Sequence, residues 1–309
     1  MIATVSKDDI ESAADRIAGH AHVTPVMDIL IPGLPAPLAV KLENTQRTGS
    51  FKVRGAFNTL LASDVPEAGV VAASGGNHGA AVAYAARALG YPAAVFVPEM
   101  AGPSKIALIR ETGADLTVVH GVYSDALEAA RDYEARTGAM QIHAYDAPLT
   151  VAGQGTVLRE WEGQGLEADT VLIAVGGGGL IGGAMAWNQG RRRIVAVEPE
   201  KAATLANALA QGPDTETHVG GIAANALGAR KIGRICYDLA ASTGLKSVLV
   251  TDEAIADAQR VLWKVARQWV EPAGATALAA LLSGAYQLAG SEKVAVLICG
   301  ANPDPGPFD

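Results

Sequence analysis

The chain alternates between short, unbroken apolar runs and longer stretches with helical periodicity. Leu38–Leu42, Val70–Ala73, Ala93–Val97, Leu116–Val119, Thr170–Val175, Arg193–Val197, Ser247–Val250 and Lys293–Ile298 are short, rich in Val and Ile, and do not alternate with polar residues. Such runs suit strands covered on both faces. Between them the spacing predicts helices over 78–89, 103–111, 123–137, 179–189, 252–268 and 272–288. A further helix over Ser6–Ala18 is opened by a Ser cap with acids in its first turn. Strands separated by helices predict an α/β fold of two open, mostly parallel twisted sheets with right-handed crossovers. The runs fall into two groups, which predicts a large domain of residues 1–63 plus 145–309 and a small one of 64–144.

Composition changes this picture little. Half of the 309 residues are hydrophobic and 18% are charged, as in an ordinary globular chain. The net charge of −8 argues against nucleic acid or an anionic membrane surface as partner. No apolar stretch is as long as a membrane span. Two cysteines, Cys236 and Cys299, are too few for a disulfide framework, and Met1–Ala14 carries charges where a signal peptide would be apolar. Both point to the cytoplasm.

Glycine is the informative residue. The 35 glycines concentrate where two apolar runs meet helical patterns, and in α/β sheets ligands sit at those carboxyl ends. Val175-Gly-Gly-Gly-Gly-Leu-Ile-Gly-Gly183 can converge backbone N–H groups on an anion at a helix N-terminus. Its Gly177-x-Gly179-x-x-Gly182 spacing also satisfies the dinucleotide fingerprint, with Glu198 placed as the ribose acid. That reading predicts an NAD-dependent dehydrogenase but leaves the rest of the chain unexplained. Ala73-Ser-Gly-Gly-Asn-His-Gly79 offers a second cradle, with Ser74 and Asn77 adding polar side chains. Two cradles suit a phosphorylated cofactor and a substrate carboxylate. A lysine between them, Lys52, flanked by Phe51 and Val53, would have a lowered pKa and a nucleophilic amine.

The segment Leu42-Glu-Asn-Thr-Gln-Arg-Thr-Gly-Ser-Phe-Lys-Val-Arg-Gly-Ala-Phe-Asn58 resembles the lysine segment of the serine/threonine dehydratases. These are fold-type II pyridoxal-phosphate enzymes related to tryptophan synthase β and serine racemase. Residues 74–79, Ala152-Gly-Gln-Gly-Thr156, Gly176–Gly179 and Cys299-Gly-Ala-Asn302 resemble further family segments in the same order, so the likeness covers nearly the whole chain. It implies that Lys52 holds pyridoxal 5'-phosphate as a Schiff base and later removes the Cα proton. It also implies that Phe51 packs behind the ring, that Asn77 bonds its 3-oxygen, and that Cys299 faces the pyridine nitrogen. Gly176, Gly177, Gly178, Gly179 and Leu180 would hold the phosphate, and Ser74, Gly75, Asn77 and His78 the substrate carboxylate.

Departures within the resemblance sort the chemistry. Lys52-Val-Arg54 and Asn77-His78 favour the dehydratase–racemase branch over sulfhydrylases. Racemases of the family carry a serine at the position of Gly75, and glycine has no proton to give to the opposite face. The expected reaction is therefore β-elimination from L-threonine or L-serine, yielding a 2-keto acid and ammonia. Serine racemase and 3-hydroxyaspartate dehydratase are the alternatives. The chain stops soon after Asn302, so the regulatory domain and isoleucine control of biosynthetic threonine dehydratases are not expected. A Mg, Ca or K site would use Glu198 and the Ala202 carbonyl, although Thr204 stands where relatives have an Asp. The resemblance also implies a homodimer.

Overall fold

A computed structural model describes residues 4–99, 101–121 and 123–303. The first helix, α1 (Lys7–Ile17), begins where Ser6 and Asp9 form a capping box, as the Ser cap predicts. An antiparallel pair follows, β1 (Val26–Ile29) with β2 (Leu38–Leu42). The chain continues through α2 (Lys52–Ala62), β3 (Val70–Ala73), α3 (Asn77–Ala88), β4 (Ala93–Pro98) and α4 (Pro103–Glu111). Then come β5 (Asp115–Val119), α5 (Tyr123–Thr137), β6 (Met140–Gln141), α6 (Pro148–Gly163), β7 (Thr170–Ala174) and α7 (Gly179–Asn188). The rest comprises β8 (Arg193–Pro199), α8 (Thr204–Gln211), α9 (Ala224–Leu227), α10 (Arg234–Thr243), β9 (Ser247–Val250), α11 (Asp252–Ala266), α12 (Pro272–Leu282) and β10 (Val294–Ile298).

Two sheets result, in the expected α/β class. The larger has the order β1-β2-β10-β7-β8-β9, parallel throughout apart from β1. The smaller, β5-β4-β3-β6, is wholly parallel. Every residue of β3, β7 and β10 is buried, the physical reason their sequences do not alternate. Among the described residues no helix is long and apolar enough to cross a membrane.

Two central helices were not expected from periodicity. From Lys52 onward the chain is α2, and the Ala152–Thr156 stretch lies inside α6. Glycine makes both look like loops, yet here it serves packing. A Cβ on Gly153 would lie 2.6 Å from the Gly55 Cα, so the two helices cross backbone against backbone. The last two predicted helices end early, at Ala266 and Leu282.

Candidate active site

β2 and β10 are parallel neighbours, so the segments leaving their carboxyl ends start side by side. The Phe51 N–H donates to the Cys299 carbonyl (3.3 Å) and the Ala301 N–H to the Gly49 carbonyl (2.8 Å). Asn302 Nδ2 donates to the Thr48 carbonyl at 2.7 Å. These bonds bring Lys52, the first residue of α2, beside Cys299. Thr48, in the same crossing, has φ 58°, a left-handed conformation that non-glycine residues adopt at a cost.

Lys52 Nζ donates to the Ala144 carbonyl at 2.8 Å and lies 5.3 Å from the Phe51 ring centre. Loss of hydration pulls its pKa down to about 8, against a smaller upward pull from Cys299 and Glu271. A substantial part of the amine is then neutral in mildly alkaline water and can act as a nucleophile. The Cys299 thiol is buried, its pKa is pushed up by desolvation, and its sulfur lies 3.4 Å from the Ala273 carbonyl.

The 74–79 loop leaves β3 and opens α3. Gly76 caps that helix with no side-chain bond, which leaves its first amides open to an anion. Ser74 Oγ accepts from the Gly76 N–H at 3.2 Å. Asn77 is fixed at both ends: its Nδ2 donates to Glu271 Oε1, and its Oδ1 accepts from Asn302 Nδ2 at 2.8 Å. His78 Nε2 is 2.8 Å from the Ile142 carbonyl, an acceptor only, so the proton sits on Nε2. Burial, reinforced by Lys52, lowers the His78 pKa to about 3, so the imidazole is neutral and Nδ1 keeps its lone pair. At Gly75 a Cβ would lie 2.5 Å from the Ala101 Cβ, closer than two carbons can pack.

The glycine run leaves β7 and opens α7. Gly178 caps the helix at φ 92°, where a Cβ would also lie 2.6 Å from Cys236 Sγ. No side chain caps α7, and Gly179 and Leu180 begin its first turn. Uncapped N–H groups at a helix start are the donor set a phosphate takes. With an amine of lowered pKa and an aromatic ring beside it, these residues fit pyridoxal phosphate. At Gly177 a Cβ would lie 2.3 Å from the Tyr145 ring, so only glycine lets that ring pack on the run.

The segment 142–146 was missed by sequence reasoning, and it ties the parts together. Ile142 receives His78, Ala144 receives Lys52, Tyr145 packs on the glycine run, and Asp146 Oδ1 accepts from the Ile235 N–H at 3.1 Å. It acts mostly through backbone carbonyls, which no residue type reveals. Glu271, only 2% exposed, was also missed; an acid before Pro272 reads as an ordinary helix start.

Glu198 is engaged within the protein. It is fully buried, and its two oxygens accept from the Leu205 (2.6 Å) and Ala206 (2.9 Å) amides at the start of α8. Burial raises its pKa despite these bonds. It is not free for a ribose, so the dinucleotide reading loses its acid. Thr204 Oγ1 is engaged with the Ala229 carbonyl at 2.7 Å. Among the described residues no group of three or more His, Cys, Asp or Glu is placed to hold a metal ion. The Arg191–Arg193 turn is tied down as well: Arg191 and Arg192 pair with Glu162.

Comparison with known proteins agrees with this geometry. The family described as pyridoxal-phosphate dependent enzyme matches residues 17–300. An L-threonine ammonia-lyase of Thermotoga maritima is 33% identical over 312 residues, covering 99% of this chain and 77% of that protein. Phenylserine dehydratase of Ralstonia pickettii is 33% identical over 302 residues, covering 95% and 92%. The solved structure of maize serine racemase superposes with a TM-score of 0.92 at 32% identity, covering 98% and 95%.

Proposed function

The chain belongs to the family of pyridoxal-phosphate dependent enzymes, and on that premise we propose that Lys52 is the cofactor lysine of a β-eliminating ammonia-lyase. The relatives that act as threonine ammonia-lyase and phenylserine dehydratase support elimination from a β-hydroxy amino acid. The observation that carries the residue assignment is the enclosed amine of Lys52, with a pKa near 8, set between two uncapped helix starts.

When bound, pyridoxal phosphate supplies an aldehyde that couples to amines and a conjugated ring that takes up the electron pair left at Cα. The α7 start, Gly176 to Gly179 with Leu180, holds the phosphate. By the family resemblance, Phe51 would pack against the cofactor ring, Asn77 would bond its 3-oxygen, and Cys299 would face its nitrogen. A thiol whose pKa burial has raised stays neutral, so it leaves that nitrogen without a counter-charge. Ser74, Gly75, Asn77 and His78 receive the substrate carboxylate, His78 through its backbone because its imidazole is uncharged.

Lys52 Nζ then takes the Cα proton, and the β-hydroxyl leaves with a proton as water. One water is taken up again as the released enamine hydrolyses to 2-keto acid and ammonium, so the reaction is redox-neutral. Gly75 supports elimination over racemisation, because it offers no acid for the opposite face and Ala101 leaves no room for one. Purified protein given L-threonine or L-serine should release keto acid and ammonium in equal amounts. A protein that converts L-serine into a mixture of L- and D-serine and releases no keto acid would overturn the reading.

The same proposal divides the chain into 1–63 plus 145–309 and 64–144, a partition supported by the second sheet's strands all lying between Val70 and Gln141. It places a homodimer in the cytoplasm. A cation on Glu198 and the Ala202 carbonyl would have to compete with the α8 amides, and the reading needs none.

A further inference from the structure

Beside the Asn77 loop lies a cavity of about 320 Å³ that the roles above leave unused. It falls at the lower end of the range for ligand pockets, roughly 300–1,000 Å³. Two of its walls belong to the candidate site: Glu271 and Asn302 line it, and both bond the side chain of Asn77. A third contact ties it to the substrate loop, because the carbonyl of Asn225, another lining residue, lies 3.5 Å from where a Cβ of Gly76 would be. The cavity therefore adjoins the place where the substrate carboxylate is held.

Its lining has a definite chemistry. Ile222, Ala223, Ala226, Trp269, Pro272 and Ala273 all line it. Trp269 and Ile222 are 47% and 44% exposed, large apolar groups that folding leaves in water at the mouth of the cavity. The Trp269 ring meets Trp263 edge-on, with centres 5.9 Å apart, so the wall is a braced aromatic surface. Among the described lining residues none is Lys, Arg or His, and the one charged group is the Glu271 carboxylate. A second carboxylate on the substrate would find no counter-charge and would face an acid.

We propose that this cavity receives the side chain of the substrate, and that it selects β-hydroxy amino acids bearing an aryl or large branched apolar group on Cβ. The proposal rests on the lyase reading and names the substrate class of that same site. Serine places only hydrogen on Cβ and threonine a methyl, which leave the cavity unfilled. An aryl group would cover the exposed faces of Trp269 and Ile222 from water. 3-Hydroxyaspartate is disfavoured by Glu271. Each methylene that an apolar pocket gains is worth about 10-fold or more in kcat/KM, so a ring should exceed serine by at least that factor.

The test is keto-acid release by the holoenzyme from L-threo-3-phenylserine, L-threonine, L-serine and L-threo-3-hydroxyaspartate, each followed to kcat/KM. The expected order is phenylserine first, by about 10-fold or more over serine, with hydroxyaspartate last. In a second arm, Ala226→Phe fills the cavity and Trp269→Ala opens it, with bound cofactor monitored by its visible absorbance. Both should lower the ratio of phenylserine to serine kcat/KM by about 10-fold in protein that still holds cofactor. Turnover of serine or threonine with no preference for phenylserine, or a ratio that neither variant moves, overturns the cavity assignment and leaves the lyase intact. If both variants lose cofactor, the order in the unsubstituted enzyme decides. If no β-hydroxy amino acid yields keto acid, the lyase reading fails and this proposal fails with it.

Discussion

Two lysines of this protein lose their water on folding and reach opposite ends. Lys41, in the middle of the sheet strand β2, is fully buried and donates to the Thr24 carbonyl (2.8 Å), Glu160 Oε1 (2.6 Å) and Gln164 Oε1 (2.7 Å). Glu160 also pairs with Arg54, which pairs with Glu43, so two cations face two carboxylates in a closed cluster. Lys52, two residues before Arg54 on the same helix, donates to a single carbonyl, Ala144. Desolvation lowers the pKa of both, but Glu160 opposes it at Lys41 by charge and by hydrogen bond. Burial with a partner makes a structural cation; burial with one neutral acceptor makes a nucleophile. Helix α2 carries Lys52 at its start and Arg54, a member of the closed cluster, two residues on, so the cluster anchors the turn that holds Lys52.

The comparison breaks most visibly at the lysines themselves. Lys52→Ala should reduce keto-acid formation by at least about 10³-fold, since nucleophile and proton acceptor vanish together. Steady-state assays over long incubation check this. Arg54→Met, by contrast, should act on stability: it leaves Glu43 buried without its partner, at a cost of about 3–5 kcal/mol. Denaturant unfolding should show that loss, while folded Arg54→Met protein keeps measurable turnover.

These two outcomes also mark what the sequence could tell. The α/β class, the Ser6 cap and both glycine cradles were legible because strand burial and helix starts leave local patterns. The cluster around Arg54 was not, because Lys41, Glu43 and Glu160 look like surface residues until α6 packs on α2. Helices α2 and α6 were hidden by Gly55 and Gly153, whose role is close approach and not turning. Segment 142–146 left no trace because Ile142 and Ala144 act through carbonyls. Glu198 stood open as a ribose or cation acid because it sits at the end of β8, and only coordinates show both oxygens taken by α8.

A smaller effect sharpens the argument from Gly75. Gly75→Ser should not create a racemase and should lower elimination by about 10-fold or more, because its Cβ collides with Ala101 across the substrate loop. Gly75→Ser with Ala101→Gly should recover part of the loss, read as kcat/KM for elimination alongside chiral analysis of the remaining serine.

The smallest effect concerns pH. The folded pKa of Lys52, about 8, lies below the ordinary 10.5, and on the proposed role the amine attacks in its neutral form. Below pH 8 the rate at which cofactor-free protein captures pyridoxal phosphate should rise about tenfold per pH unit, and above 8 it should level off. The sign for stability follows. The unfolded chain binds the proton more tightly between 8 and 10.5, so the Lys52 contribution becomes less favourable as pH falls through that window and is constant below it. Stopped-flow absorbance of cofactor uptake separates a break near 8 from one near 10.5.

The central claim is that Lys52, and not the fully buried Lys41, carries the cofactor. Borohydride reduction of the loaded protein followed by peptide mapping tests this directly. The account predicts one modified lysine, in the peptide holding Thr48 to Arg54, with Lys41 untouched. A label on Lys41, or visible cofactor absorbance that survives in Lys52→Ala, would contradict it.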